Sequence, residues 1–164
     1  MPVEIKICGL STPEALETCA SEGVDMAGFI FFDKSPRNVT PQQAASLAAL
    51  ARGFQHPLKT VAVTVDAEDD SLDAIVAAMK PDFLQLHGRE TPQRVAELKK
   101  RHGLPAIKAF AIREASDLEK LVPYEGITDR FLLDAKAPEG SDLPGGNGIS
   151  FDWELLQALD TKTP

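Results

Sequence analysis

Six short runs of β-favouring apolar residues alternate with segments of helical periodicity, and this alternation limits the possible folds more than any other feature. The runs predicted as strands are 3–7, 26–31, 58–65, 82–86, 105–112 and 130–133. Strands that alternate with helices in this way are typical of βα units, in which a parallel sheet is buried on both faces. The sequence therefore predicts an α/β fold with six βα units.

The helical segments carry consistent start signals. A threonine precedes a proline at 12–13, 40–41 and 91–92, and each pair predicts a hydroxyl N-cap followed by a proline in the first turn. Three sets of apolar residues recur at helical spacing, and we expect each set on a buried face: Leu72, Ile75, Val76 and Met79; Val95 and Leu98; and Leu118, Leu121 and Val122. Ser150 is expected to cap a last helix over about 151–159.

Length leaves two architectures open. The chain has 164 residues, which suits one domain, and no linker or low-complexity tract divides it. A doubly wound open sheet fits this length. So does part of a (β/α)₈ barrel, because a complete barrel usually needs at least about 200 residues.

Charge and composition exclude several partner classes. Asp and Glu number 25 against 17 Lys and Arg, a net charge of -8, so neither nucleic acid nor an anionic membrane is an expected partner. The chain has two cysteines and no Cys/His cluster, so we expect no metal site. We also expect no cofactor, because the sequence carries no cofactor-binding motif. With no signal-peptide pattern and no apolar run of membrane-spanning length, a cytoplasmic protein with reduced thiols is expected.

Two polar segments follow the first two predicted strands. In parallel α/β folds the functional side chains lie at the carboxyl ends of strands. Cys8 follows the first strand, near a helix N-terminus that favours a thiolate, so it is a candidate base or nucleophile; the alternative is a buried, inert thiol. Lys34 and Arg37 follow the second strand, and Arg37 suits bidentate capture of a carboxylate or phosphate unless both are merely solvated.

Later strand ends supply further candidates. His87, which shares one side of its strand with Gln85, is either a substrate or proton-transfer group or a structural histidine. Lys108 is a charge within an apolar strand, which predicts either a buried ion pair or a strand with one wet face. Asp134 follows two leucines and is a candidate general acid or base if burial keeps it protonated; the alternative is a turn cap.

Five segments together resemble the phosphoribosylanthranilate isomerase family, in the family's order. They are Lys6-Ile7-Cys8-Gly9-Leu10, Lys34-Ser35-Pro36-Arg37, Gln85-Leu86-His87-Gly88 with Glu90, Leu132-Leu133-Asp134, and Gly145-Gly146-Asn147-Gly148 with Phe151-Asp152-Trp153. Asn147 stands where the family more often has a small hydroxyl residue. The resemblance implies a TIM barrel, an Amadori rearrangement in tryptophan biosynthesis and a phosphorylated sugar substrate.

The resemblance also assigns roles. Asp134 matches the family's general acid, which opens the ribose ring to a Schiff base, and Cys8 matches the base that removes the proton from the second sugar carbon. Arg37 would hold the anthranilate carboxylate, and His87, Gly146 and Gly148 would contact substrate. A relative of indole-glycerol-phosphate synthase fits less well, because a lysine acid and a glutamate base would be expected there.

The resemblance further implies a single barrel domain over 1–164 that lacks a seventh and an eighth strand, with their phosphate-binding loops. We therefore expect the 164-residue chain alone to have little isomerase activity and to self-associate through open barrel edges. The alternative function is a non-catalytic fragment or scaffold, or an incomplete barrel fragment that needs the missing C-terminal segment for activity.

Overall fold

A computed structural model describes residues 3–137, 150 and 152–164, apart from the side chain of residue 158. The chain divides into two compact units, Met1–Leu84 and Gln85–Pro164. Strand β4, Phe83–Leu86, spans the division. Among the described residues, no helix combines the length and the apolar character that a membrane crossing requires.

The first unit contains three further strands and three helices in alternation. In chain order they are β1 Lys6–Cys8, α1 Pro13–Ser21, β2 Met26–Phe31, α2 Pro41–Gly53, β3 Lys59–Thr64 and α3 Asp69–Met79. β1 pairs parallel with β2, and β2 pairs parallel with β3. The last five residues of β3 are all buried, as expected for a parallel strand covered on both faces.

The second unit continues the alternation with different helix types. Its elements are α4 Pro92–His102, β5 Ala106–Ile112, a first 3₁₀ helix Ala115–Tyr124, β6 Arg130–Ala135 and a second 3₁₀ helix Trp153–Ala158. β5 and β6 pair in parallel over six residue pairs. The predicted parallel βα pattern is thus confirmed in both units.

The three threonine caps are confirmed. The Oγ1 atoms of Thr12, Thr40 and Thr91 accept hydrogen bonds from the backbone N–H groups three residues later. At α2, Gln43 completes a capping box by accepting from the N–H of Thr40. Because these caps fix where each helix begins, they also fix the length of the loops that follow β2 and β4.

Other local expectations were wrong. Ala115–Tyr124 is a 3₁₀ helix with Pro123 inside it, and Val122 is 68% exposed instead of joining the buried Leu118 and Leu121. Three residues per turn place i and i+3 on one side, which keeps those leucines together and turns Val122 outward. The last helix starts after Asp152, whose Oδ1 accepts from the N–H of Glu154, and not after Ser150.

Candidate active site

Cys8 is the last residue of β1 and its side chain is half-buried. The chain turns sharply after it, because Gly9 has a φ of +83° that favours glycine. This turn lets the N–H groups of Gly9 and Leu10 both donate to the Gly28 carbonyl, at 2.8 and 3.0 Å. The position of the thiol is therefore set by backbone hydrogen bonds to β2.

Gly28 faces Cys8 across the β1–β2 pair. A Cβ added to Gly28 would lie 3.2 Å from both Cα and Sγ of Cys8. Such a contact is tighter than a normal van der Waals approach, so a side chain here would crowd the thiol. Glycine at this position leaves room for the thiol at the strand end.

Arg37 is exposed in the loop after β2 and reaches back to the first strand. Its Nη1 donates a hydrogen bond of 3.1 Å to the Cys8 carbonyl. The side chain lies directly over Gly9, where an added Cβ would come within 2.7 Å of Arg37 Cδ. The first unit therefore brings together two of the predicted site residues, Cys8 and Arg37, while Lys34 is exposed in the same loop.

Asp134 lies within β6, one residue before its end, opposite Ala111 of β5. Its side chain is 31% exposed. Oδ1 accepts a hydrogen bond of 2.9 Å from the N–H of Ala135, which fixes the plane of the carboxyl group. Oδ2 lies 3.5 Å from Nε2 of His87, so the second unit also brings two predicted site residues together.

His87 follows β4 and is held from its other ring nitrogen. Nδ1 lies 3.0 Å from Nε2 of Gln85, a side chain that is buried with 1% exposure. The predicted shared side of Gln85 and His87 is therefore confirmed. Three polar side chains, Gln85, His87 and Asp134, form a continuous row from the interior to a partly exposed carboxyl group.

A buried ion pair supports the backbone around His87. Lys108 Nζ lies 3.2 Å from Glu90 Oε2, with side-chain exposures of 3% and 5%. The ammonium also faces the carbonyls of Leu86, Gly88 and Ala109 at 3.1, 2.8 and 3.0 Å. Of the two alternatives for Lys108, the buried pair is confirmed and the wet strand face was wrong.

Glu90 completes this support and was not assigned a role from the sequence. Both of its carboxylate oxygens accept from the N–H of Gly88, at 3.2 and 3.0 Å. The backbone carbonyl of Glu90 accepts a hydrogen bond of 2.8 Å from the Tyr124 hydroxyl. Burial, and to a lesser extent the negative charge of Glu90, raises the pKa of Tyr124. A lysine buried in an apolar strand needs a buried anion as its partner. This requirement could have predicted from the sequence that an acidic residue such as Glu90 pairs with Lys108.

Gly146 and Gly148 lie outside the described residues. Within the described residues, no group of three or more His, Cys, Asp or Glu side chains is arranged to hold a metal ion. The described candidates are thus a thiol, a carboxyl group, an imidazole and a guanidinium at or near strand ends. Polar side chains where parallel strands end are typical of α/β enzymes.

Comparison with known proteins identifies the family. The sequence profile of N-(5'-phosphoribosyl)anthranilate (PRA) isomerase matches residues 5–163. The N-(5'-phosphoribosyl)anthranilate isomerase of Rhizobium meliloti (strain 1021) is 64% identical over 160 residues, which cover 98% of this chain and 73% of the relative. The chain therefore belongs to the PRA isomerase family.

Solved structures agree with this assignment. The phosphoribosyl anthranilate isomerase of Thermotoga maritima matches with a TM-score of 0.80 at 29% identity, covering 94% of this chain and 70% of that one. A second isomerase, in complex with reduced 1-(o-carboxyphenylamino)-1-deoxyribulose 5-phosphate, matches with a TM-score of 0.77 at 25% identity, covering 95% and 69%. These matches confirm the predicted family and its α/β barrel fold class.

Proposed function

We propose that this chain is the catalytic machinery of a PRA isomerase, which converts N-(5'-phosphoribosyl)anthranilate to 1-(o-carboxyphenylamino)-1-deoxyribulose 5-phosphate in tryptophan biosynthesis. The observation that carries the proposal is the placement of Cys8 and Asp134, each at the carboxyl end of a parallel strand within a family motif. A relative of similar fold binds a reduced form of this product. A small phosphorylated sugar is accordingly the substrate class.

Asp134 serves as the general acid. In its protonated form it donates a proton to the ribose ring oxygen, the bond from that oxygen to the first sugar carbon breaks, and the anilino nitrogen supplies the electron pair that forms the Schiff base. The hydrogen bond from Ala135 holds Oδ1, so Oδ2 is the oxygen suited to carry the proton. Asp134 is then left as a carboxylate.

Cys8 serves as the general base. Its thiolate removes the proton from the second sugar carbon, and the electron pair flows into the iminium to give an enolamine. Tautomerisation of the enolamine gives the ketone product. The iminium is itself an electron sink, so these steps call on no cofactor in the proposed reaction.

Arg37 holds the anthranilate carboxylate. The guanidinium carries five N–H donors in a fixed fork, and the Cys8 carbonyl takes one of them. This contact orients the fork at the end of β1, where the thiol also lies. His87, Gly146 and Gly148 complete the proposed substrate contacts, and a cytoplasmic location fits the proposed pathway.

Replacement of the acid or the base tests the proposal most directly. In a chain with isomerase activity, Cys8→Ala and Asp134→Asn should each lower turnover by about a hundredfold or more, the usual scale for acid–base groups. Cys19→Ala is the matched control, because Cys19 is a buried thiol of α1 whose pKa is raised by burial. Near-normal turnover in Cys8→Ala or Asp134→Asn would reject that residue's role.

Substitution of Arg37 separates binding from proton transfer. Arg37→Lys keeps the charge but loses the planar fork, so KM should rise while kcat changes little. A collapse of kcat at unchanged KM would show that Arg37 acts on the reacting atoms instead.

The alternative, a non-catalytic fragment, needs its own assay. The match over 160 residues covers 73% of the Rhizobium meliloti relative. Turnover should therefore be measured for residues 1–164 and for the same chain extended by a relative's corresponding C-terminal segment. Activity only in the extended chain, or only after mixing the two pieces, fits our expectation for residues 1–164. Full activity of residues 1–164 would contradict that expectation, and inactivity of both the short and the extended chain would favour the hypothesis of a non-catalytic fragment. Sedimentation of residues 1–164 tests the proposed self-association.

A further inference from the structure

We propose that Gln85 is a positioning residue: it fixes His87 in the tautomer that carries its proton on Nε2, so that Asp134 Oδ2 faces an N–H group and not a lone pair. The tautomer itself follows from the contacts around His87. Its kinetic consequence rests on the proposed role of Asp134 as general acid.

The buried end of the row, at Gln85, sets the tautomer of His87. Gln85 Nε2 lies 3.0 Å from His87 Nδ1. An amide nitrogen only donates, so Nδ1 must accept and is therefore unprotonated. In neutral imidazole the other nitrogen then carries the proton. Because Gln85 is 1% exposed, bulk water does not compete for this contact.

Rotation of the Gln85 amide would reverse the tautomer. Oε1 would then face Nδ1, which would have to carry the proton. Among the described residues, Oε1 has no hydrogen-bond partner and the amide nitrogen has one, His87 Nδ1, so one oxygen and one N–H are left unpaired. Rotation would pair the oxygen and leave both amide N–H groups unpaired. Buried N–H groups without a partner are rarer than carbonyl oxygens without one, so the observed orientation is the favoured one.

The tautomer matters for Asp134 because Oδ2 lies 3.5 Å from His87 Nε2. This distance is longer than an ordinary hydrogen bond, but catalytic contacts are often long before substrate binds. When Asp134 gives its proton to the ring oxygen, the new carboxylate faces the Nε2–H dipole and is stabilised. In the other tautomer, a lone pair on Nε2 would accept the Asp134 proton and withdraw it from the substrate.

Nitrogen-15 NMR of the histidine rings tests the tautomer without any activity assay. The chain has three histidines, His56, His87 and His102, so a spectrum of His87→Gln identifies the His87 signals by their loss. In the wild-type 164-residue chain we expect a protonated Nε2 and an unprotonated Nδ1. A protonated Nδ1 with a bare Nε2 in wild type overturns the proposal by itself, whatever the variants do.

Two variants test the role of Gln85. Gln85→Met keeps the side-chain length but removes the N–H donor to His87, and should give a mixture of both His87 tautomers. In Gln85→Glu the new carboxylate can only accept a hydrogen bond, so the proton of the His87 ring should move onto Nδ1. Gln93→Met, an exposed position in α4, is the control for the substitution itself and should leave the His87 spectrum unchanged. A single unchanged tautomer in Gln85→Met would show that another group sets it.

Kinetics in an active chain then test the consequence. Gln85→Met should lower kcat by at least about tenfold, since a wrongly set histidine tautomer impairs proton transfer in other enzymes. KM should stay within about twofold, because the effect falls on proton donation and not on substrate binding. A rise in KM with unchanged kcat would contradict the positioning role. If Asp134→Asn kept full turnover while the NMR result held, the proposed acid would be wrong and the tautomer assignment would stand.

Discussion

The two units place their candidate site residues by different means. In Met1–Leu84, Cys8 and Arg37 are positioned by backbone: Gly9 turns the chain, Gly28 leaves space, and a carbonyl accepts from the arginine. In Gln85–Pro164, His87 contacts the buried Gln85 amide, and Asp134 contacts His87. The first unit thus positions its candidates with glycines and backbone groups, and the second unit with polar and charged side chains.

This difference follows from the roles proposed for Cys8 as base and Asp134 as acid. A thiol base needs room and a defined strand end, and glycine provides both without polar neighbours. An acid needs a controlled proton, so the hydrogen-bond partners of its neighbours must be fixed, and fixed partners must themselves be buried and satisfied. The buried Lys108–Glu90 pair meets that need, since it binds both the carbonyl and the N–H of Gly88, next to His87.

Removal of one partner of the buried pair should give the largest effect on stability. Lys108→Met leaves the Glu90 carboxylate buried without its cation, and should lower the free energy of unfolding by about 3–5 kcal/mol. Urea unfolding measures the change. Lys108→Met combined with Glu90→Gln should recover much of it, because the uncompensated charge is gone.

The first unit offers a matched exposed pair. Lys59 Nζ lies 3.4 Å from Glu4 Oε1, with side-chain exposures of 52% and 35%. Lys59→Met should therefore change the unfolding free energy by less than about 1 kcal/mol. Equal losses from Lys108→Met and Lys59→Met would remove the contrast between the two units.

Asp117 extends the comparison to acid pH. Burial alone would raise the pKa of Asp117, but hydrogen bonds from Lys120 and from the N–H groups of Arg113 and Glu114 outweigh it and lower the pKa to about 2. A lowered folded-state pKa stabilises the fold above the unfolded value of 3.8, and this stabilisation is lost as pH falls through about 2. The contribution is on the order of 2 kcal/mol near neutral pH.

Urea unfolding of wild type and Asp117→Asn measures that contribution. The variant should be less stable near neutral pH, and the difference in unfolding free energy between the two proteins should narrow steadily below about pH 4. This difference is the relevant quantity, because other carboxylates titrate in the same range and change the unfolding free energy of both proteins. A difference that stays constant down to about pH 2 would contradict the assigned pKa.

The sequence predicted those features that depend on local chemistry. Strand β2 was predicted over 26–31, the range observed, because apolar β-favouring residues with clear breaks on both sides define it. The threonine caps were predictable because each satisfies N–H groups only three residues away. Cys8 and Asp134 were predicted to follow their strands by the same reasoning, whereas Cys8 is the last residue of β1 and Asp134 the second-last residue of β6.

Contacts between distant segments could not be predicted in this way. Lys108 and Glu90 are separated by 18 residues, and Arg37 and the Cys8 carbonyl by 29. Periodicity gives the side of a strand on which Lys108 lies, but the identity of its anion depends on how the segment after β4 folds back. The 3₁₀ helix escaped prediction for a related reason: its apolar residues at 118 and 121 suit both three-residue and 3.6-residue turns.

The smallest expected difference in stability between two variants concerns the first unit, where two glycines of positive φ allow a matched test. Gly9 has a φ of +83° and an added Cβ would meet Arg37 Cδ at 2.7 Å, whereas Gly23 has a φ of +73° and nothing within 4 Å. Gly9→Ala and Gly23→Ala should each lose about 1–2 kcal/mol of unfolding free energy, because a left-handed backbone disfavours any Cβ. Only Gly9→Ala also displaces Arg37, a flexible side chain that can swing away, so the two variants should differ little in stability. In an active chain, Gly9→Ala should raise KM toward that of Arg37→Lys, while Gly23→Ala should leave KM unchanged. If both glycine variants kept the wild-type KM, the Arg37 fork would not depend on the turn at Gly9, and backbone placement of this side chain would be the wrong account of the first unit.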